Sequence, residues 1–304
     1  FYAMMNLFGS HDTNRVLFLL DHNTGSNNPA TYNNPAYDWS DAISRLRGAA
    51  LMQMTMPGAP TIYYGDEIGL VGPIGFDGSQ WQDDPYNRQP YPWLESGLGT
   101  PFYNHLQSTT SRDALFNYYA QLTGIRNNNP ALRTGSFDPL YTSGDVYAYG
   151  RKLGDDSNTV IVVVNGTNSA QSATVNVSGY IPAGGSLTDL LTSTPYTVSA
   201  SGEIVITSLP ARGGVILRLN TAIARPTCIS DLVAISGAGQ VDLSWSAATN
   251  ATVYDIYRSR LSGGGFDLIL ANHPTASYSD TTVANATTYY YRVEEKNETN
   301  IFVR

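Results

Sequence analysis

The chain has 304 residues, enough for two or three domains, and this length excludes a small peptide hormone. It carries 17 Lys and Arg against 25 Asp and Glu, and the net charge of -8 disfavours binding to the polyanionic backbone of a nucleic acid. Charged residues make up only 14% of the chain, whereas about 25% is usual. Its polarity comes instead from Asn, Ser, Thr, Gly and Tyr, which is typical of an extracellular protein that handles neutral ligands.

Short apolar runs alternate with segments of helical period over the first third of the chain, the pattern of β/α units. Residues 2–8 predict a buried strand and residues 59–64 a second strand. Between them, a helix is predicted to begin near Ser40, with a serine or aspartate as its cap, and to run to Met56. Residues 113–127 predict another helix, with these apolar residues at helical spacing: Leu115, Tyr118, Tyr119, Leu122 and Ile125.

From about residue 137 the pattern changes to short β-branched runs separated by Gly, Asn, Asp and Ser, which predicts an antiparallel β domain. The clearest of these runs are 146–150, 159–164, 173–177, 204–207 and 215–219. Residues 221–226 predict a linker, and regularly spaced strands beyond it predict a small β-sandwich. We therefore expect three units, residues 1–136, 137–221 and 222–304.

Two features bear on the environment of the chain. A single cysteine, Cys228, excludes an internal disulfide, and we expect its thiol to be buried and inert because it precedes an apolar alternation. No apolar stretch reaches the 18 or so residues of a membrane span, so we expect a soluble chain with no membrane partner. The chain opens inside an apolar run, residues 1–8, without the parts of a signal peptide, and we expect that this is a cut.

Four ordered segments resemble a known family. Residues 9–15, directly after the first strand, resemble the last conserved segment of the α-amylase clan of glycoside hydrolases. Residues 58–69, 84–93 and 129–135 resemble the family's eighth barrel strand with its exit loop, the loop that follows, and the junction with its β domain. Tyr91 departs from the pattern, since a methionine is frequent there. The chain is identified by these matches as a member of this clan.

The third unit resembles a fibronectin type III module, with Trp245 at the strand-B tryptophan and Tyr289 at the tyrosine corner. A barrel, a β domain and such a module in this order are similar to secreted amylopullulanases and neopullulanases. The implied fold is multidomain: the last two units of a partial (β/α)8 barrel, an antiparallel β-sandwich, and a fibronectin type III-like β-sandwich. A complete barrel needs about 250 residues, so the missing N-terminal barrel segment of the same protein is an expected partner. Without that segment, we expect the first strand to expose an unpaired edge and apolar flanks.

The resemblance implies a retaining glycosidase that hydrolyses α-glucosidic bonds in starch, pullulan or maltooligosaccharides. It makes Asp12 a catalytic carboxylate that stabilises the transition state, and His11 its sugar-binding neighbour. Arg15 is assigned to the substrate site through pairing with an active-site carboxylate, with an exposed loop arginine as the alternative. For His11 and Asp12 the structural alternative is an Asx turn. For Asp66 and Glu67 we expect turn formation and a salt link.

Other interpretations of the function stay open. The family's nucleophile and acid/base lie in patterns that this sequence does not contain, so we expect the chain to be inactive alone. A non-catalytic carbohydrate-binding or scaffold protein and a glucosyl-transferring relative are the alternatives, and the preference for α-1,4 or α-1,6 bonds is undecided. Aromatic rings suited to stacking on sugars lie in the presumed barrel-top loops: Tyr63, Tyr64, Trp81, Tyr86 and Trp93.

The loops at 21–38 and 77–88 carry oxygen ligands that suit calcium, but they lack the spacing of an EF-hand. We therefore expect ordinary solvated loops, no metal site and no cofactor in this chain, with calcium in the full-length protein as the open alternative. The composition and the resemblance together predict an extracellular, secreted protein of bacterial origin.

Overall fold

A computed structural model describes residues 4–21, 27–34, 36–71, 74–91, 109–222 and 226–297. The predictions for Trp93 and for half of the linker, residues 223–225, lie outside the described residues. Within the described ranges, no helix is both long enough and apolar enough to cross a membrane.

The first region is a pair of parallel strands backed by helices. Strand β1 (Met5–Leu7) pairs in parallel with β2 (Ala59–Thr61), and Leu7 lies opposite Thr61. The two strands therefore end side by side. The remaining elements of this region, in chain order, are α1 (Val16–Leu19), α2 (Pro29–Tyr32), α3 (Ser40–Thr55), the 3-10 turn Asp66–Ile68, the hairpin β3 (Gly75–Phe76) and β4 (Trp81–Gln82), α4 (Thr109–Asn128) and α5 (Pro130–Thr134).

Both long helices were predicted, and both are confirmed. Helix α3 begins at Ser40, but the carboxylate of Asp38, rather than a side chain at Ser40 or Asp41, accepts the Ser40 N–H at 2.9 Å. Helix α4 buries all five of the apolar residues that predicted it. These buried faces form a common core with α1 and α3.

Polar side chains fix the helices to the strand pair. The buried amide of Gln53, in α3, donates to the carbonyls of Asn6 and Thr61 at 2.9 and 3.0 Å, so one side chain holds β1 and β2 together. Arg126, in α4, donates to the carbonyls of Met54 and Met56, which α3 leaves free at its C-terminus. Burial lowers the pKa of Arg126 to about 10, so its guanidinium stays charged at neutral pH.

The prediction of a buried first strand is wrong for this chain by itself, whereas the expectation that the strand exposes an unpaired edge and apolar flanks is confirmed for the described residues. All three residues of β1 lie at least partly in solvent, and Met5 is 61% exposed. In the described part of the chain, β1 has a pairing partner on one side only, which is β2. An apolar strand without cover on its second edge and outer face stays open, and its exposed apolar residues are Met4, Met5, Leu7 and Phe8.

The second region is an antiparallel β domain, as predicted. Its strands are β5 (Asp138–Ser143), β6 (Val146–Lys152), β7 (Thr159–Asn165), β8 (Gln171–Asn176), β9 (Ser186–Asp189), β10 (Pro195–Thr197), β11 (Glu203–Leu209) and β12 (Gly213–Leu219). Six of them form one sheet in the order β10-β9-β12-β7-β6-β5, and β11 pairs with β8 in a second. The clearest predicted runs all fall on strands of these two sheets.

The larger sheet is covered on both faces. Val160, Val162 and Val164 of β7 belong to the core shared with the helices, whereas Ile161 and Val163 belong to the core shared with β8 and β11. Successive side chains of a strand point to opposite faces, so every residue of β7 is buried.

The β domain is fixed against α3. Arg151 of β6 is fully buried and donates to the carbonyls of Thr55, Ser136 and Gly135. Closer contact occurs at Gly48, where a Cβ would lie 2.7 Å from the carbonyl oxygen of Arg212. These contacts place the helical face of the first region directly on the sheet.

The third region contains two three-stranded antiparallel sheets with the orders β13-β14-β17 and β16-β15-β18. The strands are β13 (Val233–Gly237), β14 (Gln240–Ser244), β15 (Val253–Ser259), β16 (Asp267–His273), β17 (Ser277–Asp280) and β18 (Tyr290–Lys296). Trp245 is buried against Tyr254, and the Tyr289 hydroxyl accepts the Ala284 N–H at 3.1 Å. Cys228 is exposed, so the prediction of a buried thiol is wrong; it lies outside the strands and outside this core.

Candidate functional site

The candidate site lies where β1 and β2 end. Because the strands are parallel and in register, the loop after β1, residues 9–15, meets the turn after β2, residues 63–67. A third segment, residues 83–89, packs against the loop after β1. Three parts of the sequence therefore build one surface at the carboxyl ends of the strands.

His11 and Asp12 form the exposed part of this surface. Their side chains are 63% and 72% exposed, and His11 Nε2 lies 3.2 Å from Asp12 Oδ2. Arg88 is the nearest cation to the carboxylate, with Nη2 at 3.8 Å from Asp12 Oδ1, while its Nε is held by Asp84 at 3.0 Å. The pair is accessible to a ligand from solvent.

The turn that carries this pair is built by other side chains. The Ser10 hydroxyl accepts the N–H of Asp12 at 3.1 Å, and the Thr13 hydroxyl accepts the N–H of Ser10 at 3.1 Å. In the described ranges, no backbone N–H donates to the carboxylate of Asp12. The carboxylate therefore does not form the Asx turn that was the structural alternative.

Arg15 lies beneath the surface, and the alternative of an exposed loop arginine is wrong. It is 3% exposed, and its guanidinium lies over the adjacent rings of Tyr63 and Tyr64, 4.6 and 4.5 Å from their centroids. Its donors reach the carbonyl of Tyr64 and Gln89 Oε1, and Nη1 lies 3.8 Å from Asp66 Oδ1. The structure does not bring the Arg15 side chain to the surface on which His11 and Asp12 lie, and its assignment to substrate stays a prediction.

Asp66 forms the expected salt link, but in an unusual setting. It is 4% exposed, and burial raises the pKa of its carboxyl to about 7, with the charge of Arg15 opposing the rise and that of Glu67 adding to it. Gly9 packs on it so closely that a Cβ there would lie 2.8 Å from Asp66 Oδ2. Glu67 accepts the Gly65 N–H at 2.8 Å, which confirms the expected turn.

The segment 83–89 contains functional candidates that the sequence did not single out. The buried amide of Asn87 donates to the carbonyls of His11 and Thr13, and Gln89 accepts from Arg15. Such long-range bonds from side chains to backbone leave no periodic pattern. The one available signal was the resemblance of residues 84–93 to a family loop.

The aromatic and calcium-ligand candidates that the structure describes have partners within the protein. Tyr64 donates its hydroxyl proton to the carbonyl of Gln89 at 2.7 Å, while the half-buried Trp81 packs edge-on against Phe18 and Tyr32 of the helical core. Asp77 accepts from Ser79 and Gln80 in its own turn. Over the described residues, no three His, Cys, Asp or Glu side chains are grouped so as to hold a metal ion.

Comparisons with known proteins identify the family of the chain. The family model of the α-amylase catalytic domain matches residues 2–135, and that of the maltogenic amylase C-terminal domain matches residues 137–216. An amylopullulanase of Thermoanaerobacter thermohydrosulfuricus is 36% identical over 96% of this chain and 18% of its own length. An amylopullulanase of Thermoanaerobacterium saccharolyticum is 34% identical over 98% of the chain and 22% of its own length.

The chain thus spans less than a quarter of these two curated relatives. A solved α-amylase from Anoxybacillus is similar over 74% of this chain and 39% of its own, with 23% identity and a TM-score of 0.52, which shows a shared fold. The matched domains, their order and the identity over nearly the whole chain lead to one assignment. The chain belongs to the α-amylase family of α-glucan hydrolases.

Proposed function

We propose that this chain is the C-terminal portion of a retaining glycosidase that cleaves α-glucosidic bonds in starch, pullulan or maltooligosaccharides. Asp12 stabilises the distorted, oxocarbenium-like ring in the transition state, and His11 hydrogen-bonds to a sugar hydroxyl beside it. The nucleophile and the acid/base come from the preceding part of the protein, so the chain alone is inactive.

One observation carries this proposal. A carboxylate that is 72% exposed, 3.2 Å from a histidine, lies at the carboxyl end of a parallel strand, where barrels of this architecture collect their active-site groups. Buried polar residues support it from below, since Arg15 and Asp66 pack under the same loop. An exposed carboxylate without a local backbone partner is free to accept hydroxyl donors from a ligand.

The open face of β1 supports the partial barrel in this proposal. Met5 and Leu7 are exposed on a strand that pairs on one side among the described residues, and a long exposed apolar edge is unfavourable in a folded protein. The missing N-terminal barrel segment of the same protein would supply the next strand and cover this face.

The remaining features of the proposal concern the whole protein. The third unit, residues 222–304, is proposed as a fibronectin type III-like module, supported by the buried Trp245 and by the contact of the Tyr289 hydroxyl with the backbone five residues earlier. We further propose a secreted bacterial protein, in which calcium, if bound, uses ligands from the full-length chain.

The substitution Asp12→Asn in the full-length protein tests the role of the carboxylate. It keeps the size of the side chain and removes its charge, so we expect kcat on maltohexaose to fall about a thousandfold. The matched control is Asp41→Asn, which changes an exposed carboxylate on α3 that pairs with Arg45 and Arg212 rather than with residues of the loop.

The control variant should keep full turnover. Thermal unfolding of both variants should stay close to that of the parent, which separates chemistry from folding. Turnover of Asp12→Asn within a few-fold of the parent would reject the proposed role of Asp12.

A further inference from the structure

Three consecutive residues contact the loop that carries His11 and Asp12. Asn87 donates to the carbonyls of His11 and Thr13 at 2.7 and 2.9 Å. Arg88 approaches the carboxylate of Asp12, and Gln89 accepts from Arg15. Asn87 is the one of the three that touches the backbone on both sides of Asp12.

The side chain of Asn87 is itself fixed. It is 1% exposed, and its backbone N–H donates to the carbonyl of Asp83 at 2.8 Å in a turn. Both protons of its amide are used on the two carbonyls, while its Oδ1 has no hydrogen-bond partner in the described ranges. The side-chain amide of Asn87 is therefore held by the two hydrogen bonds that its nitrogen donates.

The backbone N–H of Asp12 is held by the Ser10 hydroxyl, but its side chain has few contacts of its own. Its carboxylate is 72% exposed, and among the residues that the structure describes it contacts two side chains, those of His11 and Arg88, which are also exposed. A flexible, solvated carboxylate is a weak transition-state partner, because a misplacement of about 1 Å can cost about a hundredfold in rate. The position of this group therefore depends on the backbone at residues 11–13.

We propose that Asn87 is a positioning residue that fixes Asp12 for the reaction by holding the carbonyls of His11 and Thr13. This inference rests on the proposed function of Asp12. Asn87 itself touches no sugar: it acts through the backbone, and its effect appears only when Asp12 is present.

The test uses Asn87→Asp in the full-length protein. The substitution keeps the shape of the side chain but sets a carboxylate oxygen against two carbonyl oxygens in place of the donor. We expect kcat on maltohexaose to fall about a hundredfold, with a change of no more than a few-fold in KM, since Asp12 acts on the transition state. Asn87→Ser keeps one O–H donor and should lose less.

Asn165→Asp is a matched control for the loss of a buried amide donor. Asn165 is also buried, and its Nδ2 donates to the carbonyls of Ser169 and Pro210 at 2.9 and 3.1 Å, in the β domain. We expect this variant to unfold at a lower temperature while keeping kcat. Equal fractional losses of kcat in Asn87→Asp and Asn165→Asp would reduce Asn87 to a structural residue and overturn the inference.

A double-mutant cycle gives the decisive readout. If Asn87 acts through Asp12, then the double variant Asp12→Asn with Asn87→Asp turns over as slowly as Asp12→Asn alone. Independent, multiplicative losses would overturn the inference. Should Asn87→Asp fail to fold, Asn87→Ser is taken through the same cycle. Full activity of Asp12→Asn rejects the proposed function itself, whereas an inactive Asp12→Asn beside fully active Asn87 variants rejects only the role of Asn87.

Discussion

Strands β1 and β7 are both apolar, yet they lie in opposite environments. Strand β7 has seven residues, pairs with β6 on one side and β12 on the other, and is buried at every position. Strand β1 has three residues, pairs with β2 alone in the described ranges, and leaves Met5 and Leu7 in solvent. The difference comes from their neighbours rather than from their composition.

This contrast separates the part of the chain that stabilises the fold from the part that carries the candidate site. The β domain supplies its own cover, with one core facing the helices and another facing β8 and β11. The strand pair β1 and β2 instead presents loops at its carboxyl end and an open apolar edge beside them. The stable part of the molecule thus holds α3, and α3 holds the strands that carry the candidate site.

The largest expected effect comes from placing a charge in β7. Val162→Asp buries a carboxylate between Tyr149 and Ile216 without a partner, at a cost of more than about 4 kcal/mol, so the β domain should not fold. The matched change in β1, Met5→Asp, adds the same group to a 61% exposed position and should leave folding of the 304-residue chain unchanged. Circular dichroism and urea unfolding measure both.

The same pair of variants sharpens the contrast in the full-length protein. There the proposed barrel covers β1, so Met5→Asp should become strongly destabilising, while Val162→Asp is damaging in both contexts. If Met5→Asp unfolds the 304-residue chain as severely as Val162→Asp does, then β1 is not an open edge.

A smaller loss of stability is expected at the contact between the helices of the first region and the β domain. Arg151→Ala leaves the carbonyls of Thr55, Gly135 and Ser136 without their charged donor, which should cost about 3 kcal/mol. Calorimetry should then show the helical region melting before the β domain. Arg218→Ala, an exposed arginine on β12, is the control and should be neutral. A single, unshifted transition in Arg151→Ala would show that the two regions are held together by other contacts.

Regular elements were predictable because their signals are local. The helical spacing of Leu115, Leu122 and Ile125 and the β-branched runs of the second region each bury a face that the sequence displays. The apolar run alone predicted a buried β1, and its open edge followed only from the incomplete barrel that the family resemblance implies, because a strand's exposure depends on what lies beside it. The prediction of a buried Cys228 was wrong for a similar reason, since an apolar alternation after this residue does not bring the residue itself into a core.

The candidate site was predictable only in its exposed part. His11 and Asp12 follow a strand in a recognisable segment, whereas Asn87 reaches them from 76 residues away along the chain through its side-chain amide. Arg15 was located in the right loop, but its burial arises from Tyr63 and Tyr64, which come from the end of another strand. Contacts of this kind depend on the fold as a whole and have no counterpart in local sequence.

The smallest expected effect is a difference between the pKa values of two aspartates, measured by a titration that leaves the fold intact. It distinguishes the buried layer of the candidate site from the exposed surface. Burial raises the pKa of Asp66 from its usual value of 3.8 to about 7, whereas backbone and hydroxyl donors in its own turn hold the pKa of exposed Asp77 below that value. Carboxyl carbon NMR should show these two aspartates titrating at opposite ends of the range. Because the folded form of Asp66 binds its proton more tightly, its contribution to stability is fullest below about pH 4 and is lost as the pH rises through about 7. Arg15→Gln removes the opposing charge and should raise the pKa of Asp66 further. A titration midpoint for Asp66 near 4 in the parent would mean that Gly9 and the strand ends do not shield this carboxyl from water.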